Sequence, residues 1–278
     1  MSTRRIKLVV SYDGTDYCGW AAQSGRVTVQ GTLTDIVRQV SGEDIEIIGG
    51  SRTDSGTHAK GQVAHFDAKW PAELAKIPRI LNNLLPCDIA VQQATEVKLD
   101  FHARFSAISR SYRYRIRQTP RDPRESRFVH DTWRELDVES MQQAARHLKG
   151  SHDFLAFSEE VEPTANAVRE LFEVTVKRSG REVWIDITGN AFMRGMMRRI
   201  SGGLYEVGRG KRSVEDFWRL LDPKNRDQLM WPVVLPAKGL CLQKIKYGRH
   251  PKDFRERYQT ISQETGHEQN IQRNKREY

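Results

Sequence analysis

Apolar positions along the chain switch between a period of two and a period of about 3.6 residues, and they do so twice in the same order. IKLVVSY (6–12) reads as a strand. Val29, Leu33, Ile36, Val37 and Val40 fall on one face of a helix running from Thr28 to Val40. IEII (45–48) and VAHF (63–66) read as short buried strands. Leu74, Ile77, Ile80, Leu81 and Leu84 form a second helical stripe, which Pro78 is expected to break and Pro86 to close. IAVQQATEV (89–97) completes a βαββαβ series.

The second half repeats it. YRYRIR (112–117) is a strand with arginines on one face, and Asp137 caps a helix carrying Val138, Met141, Ala145 and Leu148, stopped by Gly150. LFEVTVK (171–177) and VWIDI (183–187) alternate cleanly and are joined by the hairpin SGR. A long apolar helix is expected from Phe192 to Val207, a further one capped by Ser213 and running through Leu221, and a final strand at LCLQKIKY (240–247). The pattern predicts an α+β protein: two ferredoxin-like (split βαβ) subdomains with largely antiparallel sheets, 1–106 and 107–248, hinged near Arg104–Ser111. Residues 249–278 lack apolar periodicity and carry seven Lys/Arg against five Asp/Glu, which predicts a disordered tail or a lone exposed helix.

Charge narrows the partner. Across 278 residues, 45 Lys+Arg stand against 36 Asp+Glu, a formal charge of +9. Such an excess suits a polyanion, because Lys and Arg displace counterions from phosphates, though a merely solvated basic surface has the same composition. No stretch approaches the roughly 20 apolar residues of a membrane span, and the first apolar run ends too early for a secretory leader. Cys18, Cys87 and Cys241 are far apart, with no CxxC pair and no histidine at ligand spacing. A cytoplasmic protein without disulfides or structural zinc is expected.

The chemistry concentrates in GGSRTDSGTHAKGQVAHFD (49–67). As a plain connection, its Asp54 and its Ser/Thr residues make local turns. As a site, a long polar loop between rigid strands presents Asp54, with Arg52 two residues earlier on the same side of extended backbone, where it would keep the carboxylate ionised. On the strand 112–117, Arg113, Arg115 and Arg117 share one face and Tyr112, Tyr114 and Ile116 the other, so the tyrosines belong either to a core or to a base-stacking surface. In NAFMRGMMRRISGGLYEVG (190–208), Phe192, Met193, Met196, Met197, Ile200 and Leu204 are most simply core. Arg194 and Arg198 lie four apart and suit a phosphate or carboxylate, or, for Arg194, plain solvent. GRGKRS (208–213) fails as a phosphate loop because Tyr205 stands where its first glycine belongs. His58 and His65 lack metal-ligand spacing.

Taken together and in order, YDGTDYCGWAAQ (12–23), TVQGTL, SRTDSGTHAKGQVAHFD, NNLLP, FHARFSA, SRSYRYRI, HLKGSHDFLAFS, NAFMRGMMRRISGG, YEVGRGK and PAKGLCLQKIKY resemble the TruA-type tRNA pseudouridine synthases from about Ile6 to Tyr247. The resemblance implies a pseudouridine synthase fold, a homodimer, a uridine in the tRNA anticodon stem-loop as substrate, and neither metal nor organic cofactor. It implies that Asp54 is the catalytic aspartate, Arg52 its salt-bridging arginine, Tyr112 the aromatic packed on the target base and Arg198 a second arginine paired with the aspartate. Leu240 would line the base pocket. From the basic clusters themselves, Arg113 and Arg194 are further candidate contacts to RNA. Four features depart from the family pattern. Ser51 stands where glycine is usual in bacterial members, Thr57 where valine is usual, Arg194–Gly195 replaces a pair that is often His-His, and Met230 to Val234 is less typical. Two rival readings are a non-catalytic RNA-binding protein on the same fold and a metabolic enzyme with an acidic substrate. The first must explain a carboxylate placed in a phosphate-binding cleft, the second the broad basic excess.

Overall fold

The structure, a computed structural model, describes residues 2–70, 73–119, 121–159, 166–225 and 227–248. The first half contains strand β1 (Arg4–Tyr12), helix α1 (Val29–Ser41), strands β2 (Ile48–Gly49) and β3 (His58–Ala68), helix α2 (Ile77–Asn82) and strand β4 (Ile89–Val97). In the second half lie β5 (Ala107–Arg117), β6 (His130–Asp131), α3 (Val138–Arg146), β7 (Gly150–Asp153), β8 (Val168–Ser179), β9 (Glu182–Gly189), α4 (Met196–Gly208), α5 (Val214–Arg219) and β10 (Leu240–Tyr247).

Local chemistry sets these bounds. Thr28 caps α1 by accepting from the Gly31 N–H, Asp137 caps α3 through Ser140, and Ser213 caps α5 through Asp216. Pro78 does not break α2. It occupies the first turn, where its missing N–H has no partner to lose. The long apolar helix begins at Met196 rather than Phe192, because Gly195 turns the chain with φ 69° at its N-cap. IEII is not a strand over its length: Ile45 and Ile47 are buried, but only Ile48 and Gly49 pair, with His65 and Ala64. Gly150 opens β7 instead of closing α3, which ends at Arg146, and α5 stops at Arg219, short of Leu221.

In strand order the first half reads β4-β1-β3, with β2 also on β3, and the second reads β10-β5-β9-β8, with β7 added at the edge. Each half therefore places its last strand beside its first, then its third and second, which is the split-βαβ order. β1 runs antiparallel to β3 and β4, as β9 does to β5 and β8. The halves share one ten-stranded sheet, because β10 lies between β3 and β5 and pairs parallel to β3 at Cys241↔His58 and Leu242↔Ala59. The chain up to Lys246 is one compact unit. Ile6, Leu8 and Val10 of β1 and Val29, Leu33 and Val37 of α1 are buried in the first half, as are Tyr114 and Ile116 of β5, Ile185 and Ile187 of β9, and Met196, Ile200 and Leu204 of α4 in the second. Among the described residues, no helix is long and apolar enough to cross a membrane. The tail 249–278 lies outside the described residues.

Candidate active site

The loop carrying Asp54 is shorter than its sequence suggests, because β3 already begins at His58. The segment 12–23 buttresses it. The Trp20 N–H donates to the Thr53 carbonyl at 3.1 Å, and Tyr17 O accepts from the Gly56 N–H at 3.3 Å and the Ser55 hydroxyl at 3.2 Å. Gly19 makes this approach possible: at φ 88°, a Cβ there would sit 2.6 Å from the Thr53 carbonyl oxygen. The Thr53 hydroxyl is hydrogen-bonded to the Tyr12 hydroxyl at 2.8 Å and holds the loop to β1. The fully buried Gln62 of β3 grips Ser51 from both sides, accepting from its N–H at 3.1 Å and donating to its carbonyl at 2.7 Å. A turn from the Asp54 carbonyl to the Thr57 N–H, 3.0 Å, then returns the chain to β3.

Opposite Asp54 stands the start of α4. Arg198, in its first turn, donates from Nε to the Leu235 carbonyl at 2.8 Å, which aims Nη1 at the Asp54 carboxylate, 3.9 Å away. Burial pushes the Asp54 carboxyl above its ordinary range. Arg198 is the chief opposing influence, Glu159 adds to the rise, and Arg194 and the backbone N–H of Gly195 lower it. Arg198 is shared with Glu159 at 3.5 Å, and Glu159 also meets Arg194 at 3.4 Å.

The other expected residues divide into those brought to this place and those that are not. Tyr112 of β5 is, and it is only 5% exposed. Its hydroxyl is hydrogen-bonded to Ser51 Oγ at 2.7 Å, and its ring meets Phe192 edge-on at 5.1 Å. Burial, with a smaller push from the Asp54 charge, raises its phenol to about 12. Leu240 is buried at the start of β10, the strand that joins the halves, just after the segment whose Pro236 carbonyl accepts from the Tyr114 hydroxyl at 2.7 Å. Arg194 reaches the site while remaining 73% exposed in its side chain.

Two expectations are corrected. Arg52 does not pair with Asp54: among the described residues it meets no carboxylate, and its side chain is exposed. Thr53 turns inward to Tyr12 and Trp20, while the charge facing Asp54 comes from Arg198, distant in sequence. Nor is Arg113 at the site. Alternation along β5 puts it on the sheet face opposite Tyr112, where it makes a bidentate pair with Asp186, 2.6 and 2.9 Å, and stacks on Trp184 at 3.8 Å. Arg115 likewise pairs with Glu182, and Arg117 with Asp131 and Glu125. These arginines hold β5 to its neighbours.

Sequence reasoning missed three contributors. Glu159 follows the HDFLAFS run with no signal of its own. Gln62 looks like any polar residue in a strand. Arg110 sits inside the basic cluster, yet its guanidinium donates to the carbonyls of Gly50, Arg104 and Asn190 at 3.0, 2.7 and 2.7 Å, tying the start of the Asp54 loop to the approach of α4.

Comparison with known proteins covers this same framework. Residues 8–106 and 144–248 match the family described as tRNA pseudouridine synthase. The protein named tRNA pseudouridine synthase A of Brevibacillus brevis is 39% identical over 245 residues, spanning 88% of this chain and 100% of the relative. Its namesake in Geobacter sp. (strain M21) is 40% identical over 247 residues, 88% of this chain and 99% of the relative. Among solved structures, an archaeal box H/ACA sRNP Nop10–Cbf5 complex is similar at TM-score 0.32 and 10% identity, covering 84% of this chain and 58% of that one, a likeness too weak to carry an argument. With both halves and the Asp54 loop inside the matched span, the chain belongs to the tRNA pseudouridine synthase family.

Proposed function

We propose that this chain isomerises uridine to pseudouridine in tRNA, at a uridine of the anticodon stem-loop, with Asp54 as the catalytic carboxylate. The observation that supports this most directly is the half-buried Asp54 facing Arg198 where the two halves meet. The target base must leave its stack to reach such a recessed group, and unpaired loop bases do so at least cost. Asp54 then acts on the nucleoside, either as nucleophile or by stabilising a developing sugar cation. The N1–C1′ bond breaks, the uracil turns while enclosed, and C5 bonds to C1′. C5 loses a proton and N1 gains one, so nothing external is consumed and no cofactor is called for.

Around Asp54, the residues take complementary parts in this reading. Arg198 keeps the carboxylate available as an anion in a place where burial opposes its charge. Tyr112 and Leu240 supply an apolar floor that excludes water while the base is detached. Arg52, exposed beside the loop, and Arg194, largely exposed at the start of α4 though paired with Glu159, are placed to meet phosphates. A soluble homodimer in the cytoplasm is the assembly we infer from the family resemblance.

The test is single-turnover pseudouridine formation alongside tRNA binding, for wild type and Asp54→Asn. The nearly isosteric amide should bind tRNA as well as wild type or slightly better, since it removes a negative charge, and should lose turnover by more than about a hundredfold, ~3 kcal/mol of barrier. Turnover above about a hundredth of the wild-type rate would remove Asp54 from the chemistry. Absence of product from both proteins would favour the second reading, an RNA-binding protein on the same fold.

A further inference from the structure

Four charges at the start of α4 cancel one another. Glu159 Oε1 stands 3.5 Å from Arg198 Nη1 and Glu159 Oε2 stands 3.4 Å from Arg194 Nε, while the same Arg198 atom lies 3.9 Å from Asp54. One carboxylate thus spans two guanidinium groups, an oxygen to each, as the two non-bridging oxygens of a phosphodiester do between paired arginines. The backbone places it there: the Glu159 N–H donates to the Arg194 carbonyl at 3.0 Å. Its side chain crosses Gly195, where a Cβ would come within 2.5 Å of Glu159 Cγ, and it retains 29% exposure. α4 begins beside it without a side-chain cap, and the Gly195 N–H at that end bears on Asp54. We propose that Glu159 is a stand-in for an RNA phosphate, holding Arg194 and Arg198 while the site is empty and giving way to a phosphate of the flipped nucleotide. The proposal rests on the reading of Asp54 as a site that receives RNA.

A polyanion gains nothing from a cluster whose charges sum to zero, and a phosphate arriving beside Glu159 would meet a like charge at close range. Exchange removes that conflict. Both arginines keep an anionic partner throughout, while Glu159 swings into solvent. Glu159 also faces Asp54 across Arg198, with Arg194 and Tyr112 as the other titratable or charged groups around that carboxyl, so neutralising Glu159 eases ionisation of Asp54 in the free enzyme.

The experiment compares wild type with Glu159→Gln, Glu159→Ser and the control Glu173→Gln, a residue exposed on β8 and in no ion pair among the described residues. Unmodified tRNA transcript is titrated by fluorescence anisotropy, and kcat/KM for pseudouridine formation is followed with pH. Both Glu159 variants should bind about three- to tenfold more tightly than the control, with the acid limb of kcat/KM displaced to lower pH. Affinity equal to the control, or weaker than wild type, in variants that melt normally would overturn the proposal and make Glu159 a fixed strut for Arg198. Wild-type turnover reports separately on the pseudouridine synthase reading: its absence would end that reading whatever the variants bind.

Discussion

A carboxylate that is to act on a nucleoside must be ionised, yet Asp54 sits where burial opposes its charge. Its folded-state pKa lies above the unfolded value, so its contribution to stability is fully present below the unfolded carboxylate pKa and is lost as pH rises through the folded one. Asp54→Asn carries no charge at any pH and escapes that loss, while Arg198 retains Glu159 as its partner. The variant should therefore melt above wild type near pH ~7, and the gap should close near pH ~3.5, by calorimetry at both pH values. An Asn variant melting below wild type at neutral pH would show that the attraction of Arg198 outweighs the desolvation. At this scale the sequence conveyed identities better than pairings. Asp54 stood out as the one acid of a polar loop, whereas its partner could not be read from the spacing of Arg52, because which side chain turns inward was decided by Thr53 meeting Tyr12 and by Trp20 meeting the backbone.

Elements with a strong apolar period were legible: β1, β4, α1, α3 and the β8–β9 hairpin lie within a few residues of where periodicity puts them. β7, with the sequence GSHD, has no alternation to read and exists because β8 offers it an edge. α4 shows the opposite failure, since its apolar stripe runs on through Phe192 and Met193 while the backbone at Gly195 forbids a helix there. The β5 arginines were ambiguous for a similar reason. A basic strand face suits phosphate or a carboxylate strand equally, and Asp186 directly across on β9 decides it. Arg113→Ala should accordingly lower stability by about 1–2 kcal/mol in urea melts, through the lost bidentate pair and the lost Trp184 stacking. It should leave tRNA affinity and its salt dependence unchanged. A tenfold or greater loss of affinity in a folded variant would return this strand to the RNA surface.

For the molecule as a whole, the +9 charge predicts that tRNA affinity falls steeply between low and moderate salt. With the β5 arginines engaged internally, the contacts fall to exposed groups near the loop, so Arg52→Ala should reduce the slope of log Kd against log salt by about one. An unchanged slope would place Arg52 outside the RNA footprint. The family match ends at residue 248, and the Brevibacillus relative is matched over its full length without needing all of this chain. Truncation after Gly248 should therefore leave both the melting temperature and turnover close to wild type, and a fall of many degrees or a loss of turnover would show that residues beyond it contribute. The position of β10 bears finally on how the chain is made. The strand synthesised last among the ten is the one that lies in the middle of the sheet, between β3 and β5. Until it arrives, each of those strands keeps an unpaired stretch of edge, and Asp54 and Tyr112 are carried by separate pieces of nascent chain. If Asp54 and Tyr112 act together as proposed, competence for catalysis should await translation past Tyr247. A ribosome that stops earlier releases a product with two sticky edges, which favours aggregation or degradation over a half-active enzyme loose among the tRNAs.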